Sequence, residues 1–273
     1  MGVSEKLELL GHYSDIPSTI TIKSIPTASE LDYVGAEDFE ETMLDKIFPQ
    51  AIEEDFNYHQ LLEIDFQWIC RALRILNYGP YYTTNAIYCT DCGTTSRGEY
   101  RVNLMTVECI PLPEKFDNLI KIDRSEFMDF NKDVTIHLLT ISESLAARKD
   151  KLFQDASGRS NMELARMCYM ISAVGGDSIS PVDVKRTLTT SLSPADYVLL
   201  KNRINELINY GLRMGGTTTC PKCKSKDAAY IAATDARFFR ATVGDILQWR
   251  DDRRSGKDKD ISGDKARTVQ QNN

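Results

Sequence analysis

Four of the seven cysteines fall into two units of the same spacing, Cys89-Thr90-Asp91-Cys92 and Cys220-Pro221-Lys222-Cys223. Two thiolates separated by two residues in a tight turn can both reach one metal, because the turn aims their sulfurs to the same side. One such turn supplies two ligands, and two turns complete the closed tetrahedral shell of structural zinc. Gly93, directly after Cys92, fits the left-handed backbone position that often follows the second cysteine. The pattern therefore points to one structural Zn2+ held jointly by Cys89, Cys92, Cys220 and Cys223. Two separate, incomplete sites and a redox dithiol are the competing readings. A redox C-x-x-C normally opens a helix after a strand, whereas strand-like segments follow both units here. A shell of four sulfurs leaves no open position for water, so the zinc is expected to be structural rather than catalytic.

Other chemistry is sparse. The sequence has no H-E-x-x-H, no G-x-S-x-G and no phosphate-binding G-x-x-x-x-G-K-[ST]. His12, His59 and His137 are scattered, and His137 sits in a strand-like pattern that suits a structural role. Cys70, Cys109 and Cys168 stand alone, and no Asp or Glu pair is singled out. No enzyme activity is expected. Lys222, Lys224 and Lys226 line the second cysteine unit, with Arg237 and Arg240 beyond. They read as a solvated hairpin tip rather than a phosphate-binding patch. Phe238-Phe239 reads as a core anchor.

The composition suits a soluble globular chain: 273 residues, 42% hydrophobic and 27% charged, with a formal net charge of -7. That balance disfavours broad nucleic-acid binding, which needs clustered cations to displace counterions. No apolar run approaches the ~18 residues that span a bilayer, and the first ten residues lack a secretory pattern. A cytoplasmic location with reduced thiols is expected.

The elements that must position the cysteines follow from periodicity. Residues 1–57 read as an arm, with one strand from Thr19 to Ile25 and a short acidic helix over 36–48 that uses Phe39, Met43 and Ile47 and ends at Pro49. Leu62, Phe66, Ile69, Leu73 and Leu76 predict a helix over 58–78, stopped by Gly79-Pro80. Cys70 lies beside that stripe. Asn85–Tyr88 lead as a strand into Cys89, and Glu99–Val107 alternate Tyr100, Val102 and Leu104 as a second strand. Val134–Ile141 read as a third. Residues 160–213 read as helical. Ser160 and Glu163 form a capping box, and Gly175-Gly176 closes that helix. Ser180-Pro181 and Ser193-Pro194 start two more helices, the last using Tyr197, Leu200, Ile204 and Leu207. Thr217–Thr219 enter Cys220, and Ala228–Ala233 leave the second unit as a strand. Gly244–Arg250 close with a helical turn or two, and 251–273 read as a disordered charged tail.

The sum is an α+β fold: a split four-cysteine zinc-ribbon-like β-element with a mostly helical insertion between its two knuckles. The zinc-stapled core spans 58–250. The distance of 128 positions between Cys92 and Cys220 makes the staple close a very long loop.

One ordered set of features resembles a known family. Leu73-Arg74-Ile75-Leu76-Asn77-Tyr78-Gly79 precedes the first cysteine unit, and a strand with Tyr100-Arg101-Val102-Asn103-Leu104 follows it. Then come Leu192-Ser193-Pro194-Ala195-Asp196, Tyr210-Gly211-Leu212, Cys220-Pro221-Lys222-Cys223 and Phe238-Phe239-Arg240. Over about residues 58–240 this resembles the baseplate hub assembly proteins of T-even-type contractile-tailed bacteriophages. The resemblance implies a non-enzymatic hub subunit or assembly factor. Its partners would be phage baseplate hub and tape-measure proteins. It would act in the host cytoplasm during assembly and could persist in the virion tail baseplate. A zinc-ribbon nucleic-acid-binding, transcription-related protein is the alternative.

Overall fold

Apolar residues on alternate positions pair the first two strands. In the computed structural model, which describes residues 4–26, 38–89, 91–116, 118–154, 161–212, 217–225, 228–230, 247 and 251, β1 (Ser4–Glu8) runs antiparallel to β2 (Thr19–Lys23) with Leu7 opposite Ile20. Leu7, Ile20 and Ile22 are buried. The arm thus holds two strands where its sequence suggested one, and it supplies core.

The helix expected to stop at Pro49 continues past it. α1 (Phe39–Thr42) opens on Asp38, whose carboxylate accepts the Glu41 N–H. A π-helical segment, Met43–Ile47, follows, and α2 (Phe48–Ala51) carries Pro49 in its first turn. The wider π turn gives the proline ring room and leaves no ladder bond waiting for its missing N–H. Phe39, Met43 and Ile47 are buried, as the spacing required, and Phe48 joins them.

α3 (Glu63–Tyr78) carries the expected stripe, with Ile69 and Leu73 wholly buried. Each such side chain contributes about 1.5–3 kcal/mol. Gly79 ends the helix, and β3 (Tyr81–Cys89) and β4 (Thr94–Asn103) form a long hairpin. β4 starts at Thr94, well before the expected Glu99. It stops at Asn103, whose side chain accepts the Met105 N–H and turns the chain. A short strand, β5 (Cys109–Ile110), follows.

The next stretch builds a second antiparallel sheet from β6 (Leu119–Ile122), β7 (Val134–His137), β8 (Ile171–Val174) and β9 (Asp177–Ser178), in that order. β7 ends at His137 rather than running to Ile141, because Thr140 caps α4 (Ile141–Lys149). Thr140 and Glu143 form a reciprocal capping box, a T-x-x-E signal the periodicity had masked. α5 (Met162–Met170) is capped by Asn161, which accepts the Leu164 N–H, in place of the expected Ser160, which lies outside the described residues. Gly175-Gly176 does not close that helix. It forms the turn between β8 and β9, with φ of 68° and 90°. Two successive left-handed residues match the twist of a tight hairpin, which side chains other than glycine resist. α6 (Pro181–Thr190) and α7 (Pro194–Ile208) start as expected on Ser180 and Ser193, with Val184, Leu188, Leu200, Ile204 and Leu207 buried.

β10 (Gly211–Leu212) then pairs with β5, and β11 (Thr217–Thr218) and β12 (Ala228–Tyr230) join β3 and β4 in a sheet of order β11-β12-β3-β4. The fold is mixed helix and sheet, of the α+β class. The insertion between the cysteine units holds its own four-stranded sheet beside the expected helices. The chain forms two compact units. The first comprises the described parts of Met1–Tyr58, Gln67–Pro111 and Gly211–Asn273, the second those of His59–Phe66 and Leu112–Tyr210. The sequence had set an arm of 1–57 apart from a core of 58–250. The expected tail apart from Asp251, the turn over 244–250 apart from Leu247, and residues 231–233 fall outside the described residues.

In the second unit, Asp196 does more than start α7. Its buried carboxylate accepts the N–H groups of Met128, Asp129 and Phe130 at 2.6, 3.0 and 3.0 Å, and the Ser193 hydroxyl at 3.0 Å. Burial works to raise its pKa, but the Met128 and Asp129 amides outweigh it and hold the group below its ordinary value. A carboxyl whose folded pKa is depressed contributes in full above its unfolded pKa of about 4, and the contribution fades as pH falls through the folded value. Asp196→Ala should therefore lower the melting temperature by several degrees at pH 7, and by less at pH 3. Thermal melts of both proteins at the two pH values check this. An equal gap at both would show the charge to be idle.

Candidate metal centre

Each cysteine unit is the turn of a hairpin. β3 delivers Cys89 and β4 leaves just past Cys92; β11 leads to Cys220 and β12 follows Cys223. β12 pairs with β3, with Ala228 opposite Cys89, so one sheet carries both turns at one end. The turns share a backbone solution: Gly93 has φ 61° and Lys224, at the matching place after Cys223, has φ 63°. In the second turn the Lys224 N–H donates to the Cys220 carbonyl and the Cys220 N–H to the Ser225 carbonyl, at 2.9 and 2.7 Å.

The four sulfurs lie within 4.8 Å of one another, close enough to bind a metal ion. Two close approaches cross between the turns: Cys89 to Cys223 at 3.5 Å and Cys92 to Cys220 at 3.9 Å. A tetrahedral ion with metal–sulfur bonds of about 2.3 Å sets its sulfurs about 3.8 Å apart, so little movement would close the shell. Cys89 and Cys220 are fully buried with Ile87, and Cys92 and Tyr100 pack against them; Cys223 is exposed. Among the described residues this is the one cluster of His, Cys, Asp or Glu placed to share a metal.

The surroundings favour thiolates unevenly. The Thr94 hydroxyl beside Cys92 brings its thiol down to about 6. The Cys223 amide, then that of Lys222, lowers Cys220. The Ser225 amide acts to lower Cys223, but the sulfur of Cys89 and those of its other neighbours prevail and push it up to about 12. Four thiolates this close repel one another, and a dication at their centre removes that penalty.

No known protein family, curated protein or solved structure matches the chain.

Sequence reasoning missed Thr94. It lies just past Gly93, and its side chain also takes a hydrogen bond from Lys222 Nζ at 3.0 Å, tying the two turns. A hydroxyl after a C-x-x-C-G unit was the available signal. Lys222 and Lys224 are exposed at the tip. Lys226, Arg237, Phe238, Phe239 and Arg240 fall outside the described residues. His137 sits away from the metal centre in sequence and role: its Nε2 lies 3.2 Å from Oε1 of Glu143, the capping residue of α4. Among the described residues no helix is long and apolar enough to cross a membrane.

Cys70 and Cys168 are buried, on α3 and α5, and burial raises the first thiol well above its usual value and the second to about 12. A thiol that cannot ionise is a poor nucleophile. Brief iodoacetamide treatment of native protein should leave both unmodified, with mass spectrometry as the readout. Rapid labelling of the pair would contradict their burial.

Proposed function

We propose that this chain is a zinc-stapled, non-catalytic assembly protein of the tail baseplate hub of a contractile-tailed bacteriophage, either a hub subunit or an assembly factor. The juxtaposition of four sulfurs from two hairpin turns carries the metal half of this reading. Four sulfur ligands with no water position suit structural Zn2+ in a split zinc ribbon, which supplies rigidity and not reactivity. The hub half is supported by the ordered set of segments from Leu73 to Arg240 that resembles the baseplate hub assembly family. A rigid, acidic chain without a catalytic constellation suits a scaffold that presents surfaces to hub and tape-measure proteins in the host cytoplasm or in the tail itself.

Deletion of the gene from its phage should give filled heads, no complete tails and no infectious particles, as seen by electron microscopy and plaque assay. The protein should co-purify with a hub or tape-measure protein when the set is co-expressed. Normal tails in the deletion would end this reading. The exposed Lys222 and Lys224 at the second turn favour a second one, a nucleic-acid-binding zinc ribbon. Retention on a DNA or RNA column that falls steeply with salt would promote it.

A further inference from the structure

The four sulfurs of the cysteine cluster are not equally placed. Cys89 and Cys220 are wholly buried, Cys92 is half-buried, and Cys223 is exposed. An oxidant arriving from solvent therefore meets Cys223 first. Across the gap between the turns the sulfur of Cys89 lies 3.5 Å from it. The backbone holds that neighbour in place: Cys89 ends β3, and it pairs with Ala228 of β12, the strand that follows Cys223. A disulfide sets its sulfurs about 2 Å apart, so an approach of about 1.5 Å would bond these two. Cys92 and Cys220 cross in the same sense at 3.9 Å, but there the second-turn sulfur is buried. The other three cysteines stand outside the cluster, Cys70 and Cys168 buried and Cys109 on β5.

We propose that the cluster is a redox device as well as a staple: a peroxide oxidises Cys223, Cys89 resolves the product, and the resulting disulfide takes over from the metal in joining the two turns. The Cys223 thiolate attacks one peroxide oxygen, the O–O bond breaks, and a sulfenic acid and hydroxide form. The Cys89 thiolate then attacks that sulfur, the S–O bond breaks, and a second hydroxide leaves. Together the two sulfurs give up two electrons, which the peroxide takes. Cys92 and Cys220 alone make half of a closed zinc shell, so the ion is released. The new bond spans 134 positions, and a cross-link over so long a loop constrains the unfolded chain strongly. A bond within either turn would close only that turn and leave the two unjoined. This inference rests on the zinc reading of the site and adds a regulation to it.

The test treats the full, zinc-loaded chain with one molar equivalent of hydrogen peroxide and follows zinc release with a chromophoric chelator. Each chain should lose its zinc together with two of its seven thiols. Cleavage before Asp91 and after Lys222 puts the four cysteines on separate peptides, so mass spectrometry of the unreduced digest names the pair. Cys89 linked to Cys223 is the expected main product. Circular dichroism of the oxidised, zinc-free chain should stay near that of the loaded chain, whereas chelation under reducing conditions should collapse it. Dithiothreitol with added zinc should restore the starting state. C109S, outside the cluster, should form the same link and release zinc at the wild-type rate. Any other pair as the main product, overoxidation without a link, or zinc retained under peroxide would overturn the proposal. So would an oxidised chain as unfolded as the chelated one, or loss of the link in C109S. Metal analysis before oxidation tests the zinc reading separately. A reduced chain that holds no zinc yet forms the Cys89–Cys223 bond ends that reading and leaves the redox link standing; a zinc-loaded chain that forms no such bond does the reverse.

Discussion

Serine at Cys89 or at Cys220 should each cost the protein its metal and its fold. Purified wild-type chain is expected to carry one zinc, because the sulfurs of the two turns already lie within 4.8 Å of one another. Either substitution leaves three sulfurs, and each removes a buried ligand from the base of its turn. A structural zinc contributes on the order of 10 kcal/mol to folding, comparable to the whole stability of a typical domain. The loss is amplified by topology. The metal would join turns 128 positions apart, and the described pairings of β11 with β12 and of β12 with β3 are only two and three residues long. Both variants should aggregate or show a collapsed thermal transition. Elemental analysis with circular dichroism decides the matter. Wild-type protein free of metal when purified without chelator would sink the site, and a defect confined to one turn would show that the turns do not share an ion.

Arg74→Ala should be the most damaging change away from the cysteines. Arg74 is wholly buried on α3. Its guanidinium donates to the Gly79 carbonyl at 2.9 Å and the Tyr81 carbonyl at 2.7 Å, and lies 5.2 Å from the Tyr78 ring centre. One side chain thus fixes the chain as it leaves α3 and enters β3. Truncation leaves two carbonyls without these donors and opens a cavity, at a cost of about 3 kcal/mol or more. Arg74→Lys keeps the charge but not the planar fork that reaches both carbonyls, so an intermediate loss is expected. Urea denaturation gives the magnitudes. The metal content of the folded fraction should stay at the wild-type value, since Cys89 lies at the far end of β3. An alanine variant as stable as wild type would mean that water replaces the guanidinium at no cost.

The two cysteine turns were legible because their information is local. Two residues between cysteines fix a turn, and Gly93 marks the backbone conformation that follows it. The stripe from Leu62 to Leu76 was legible for the same reason, since a helix repeats its buried face over many turns. The misreadings fall where a local signal has two structural meanings. A Gly-Gly pair ends a helix or makes a hairpin, and at Gly175-Gly176 the pairing of β8 with β9 chose the hairpin. Pro49 breaks a helix unless the turn before it widens. An apolar run through Ile141 reads as strand until Thr140 and Glu143 cap each other.

The sequence by itself determined the two cysteine turns and the helix faces of α3 and α7, because each follows from spacing along a few consecutive residues, and their order along the chain pointed to the α+β class. Only the tertiary structure decided that Cys89 approaches Cys223 and Cys92 approaches Cys220. It also decided that the N-terminal strands share a unit with both cysteine turns and that Asp196 gathers three amides from 128–130. Those are relations between residues tens to hundreds of positions apart. No local periodicity encodes them, and they are fixed by which buried surfaces and hydrogen-bonding groups satisfy one another once the chain has folded.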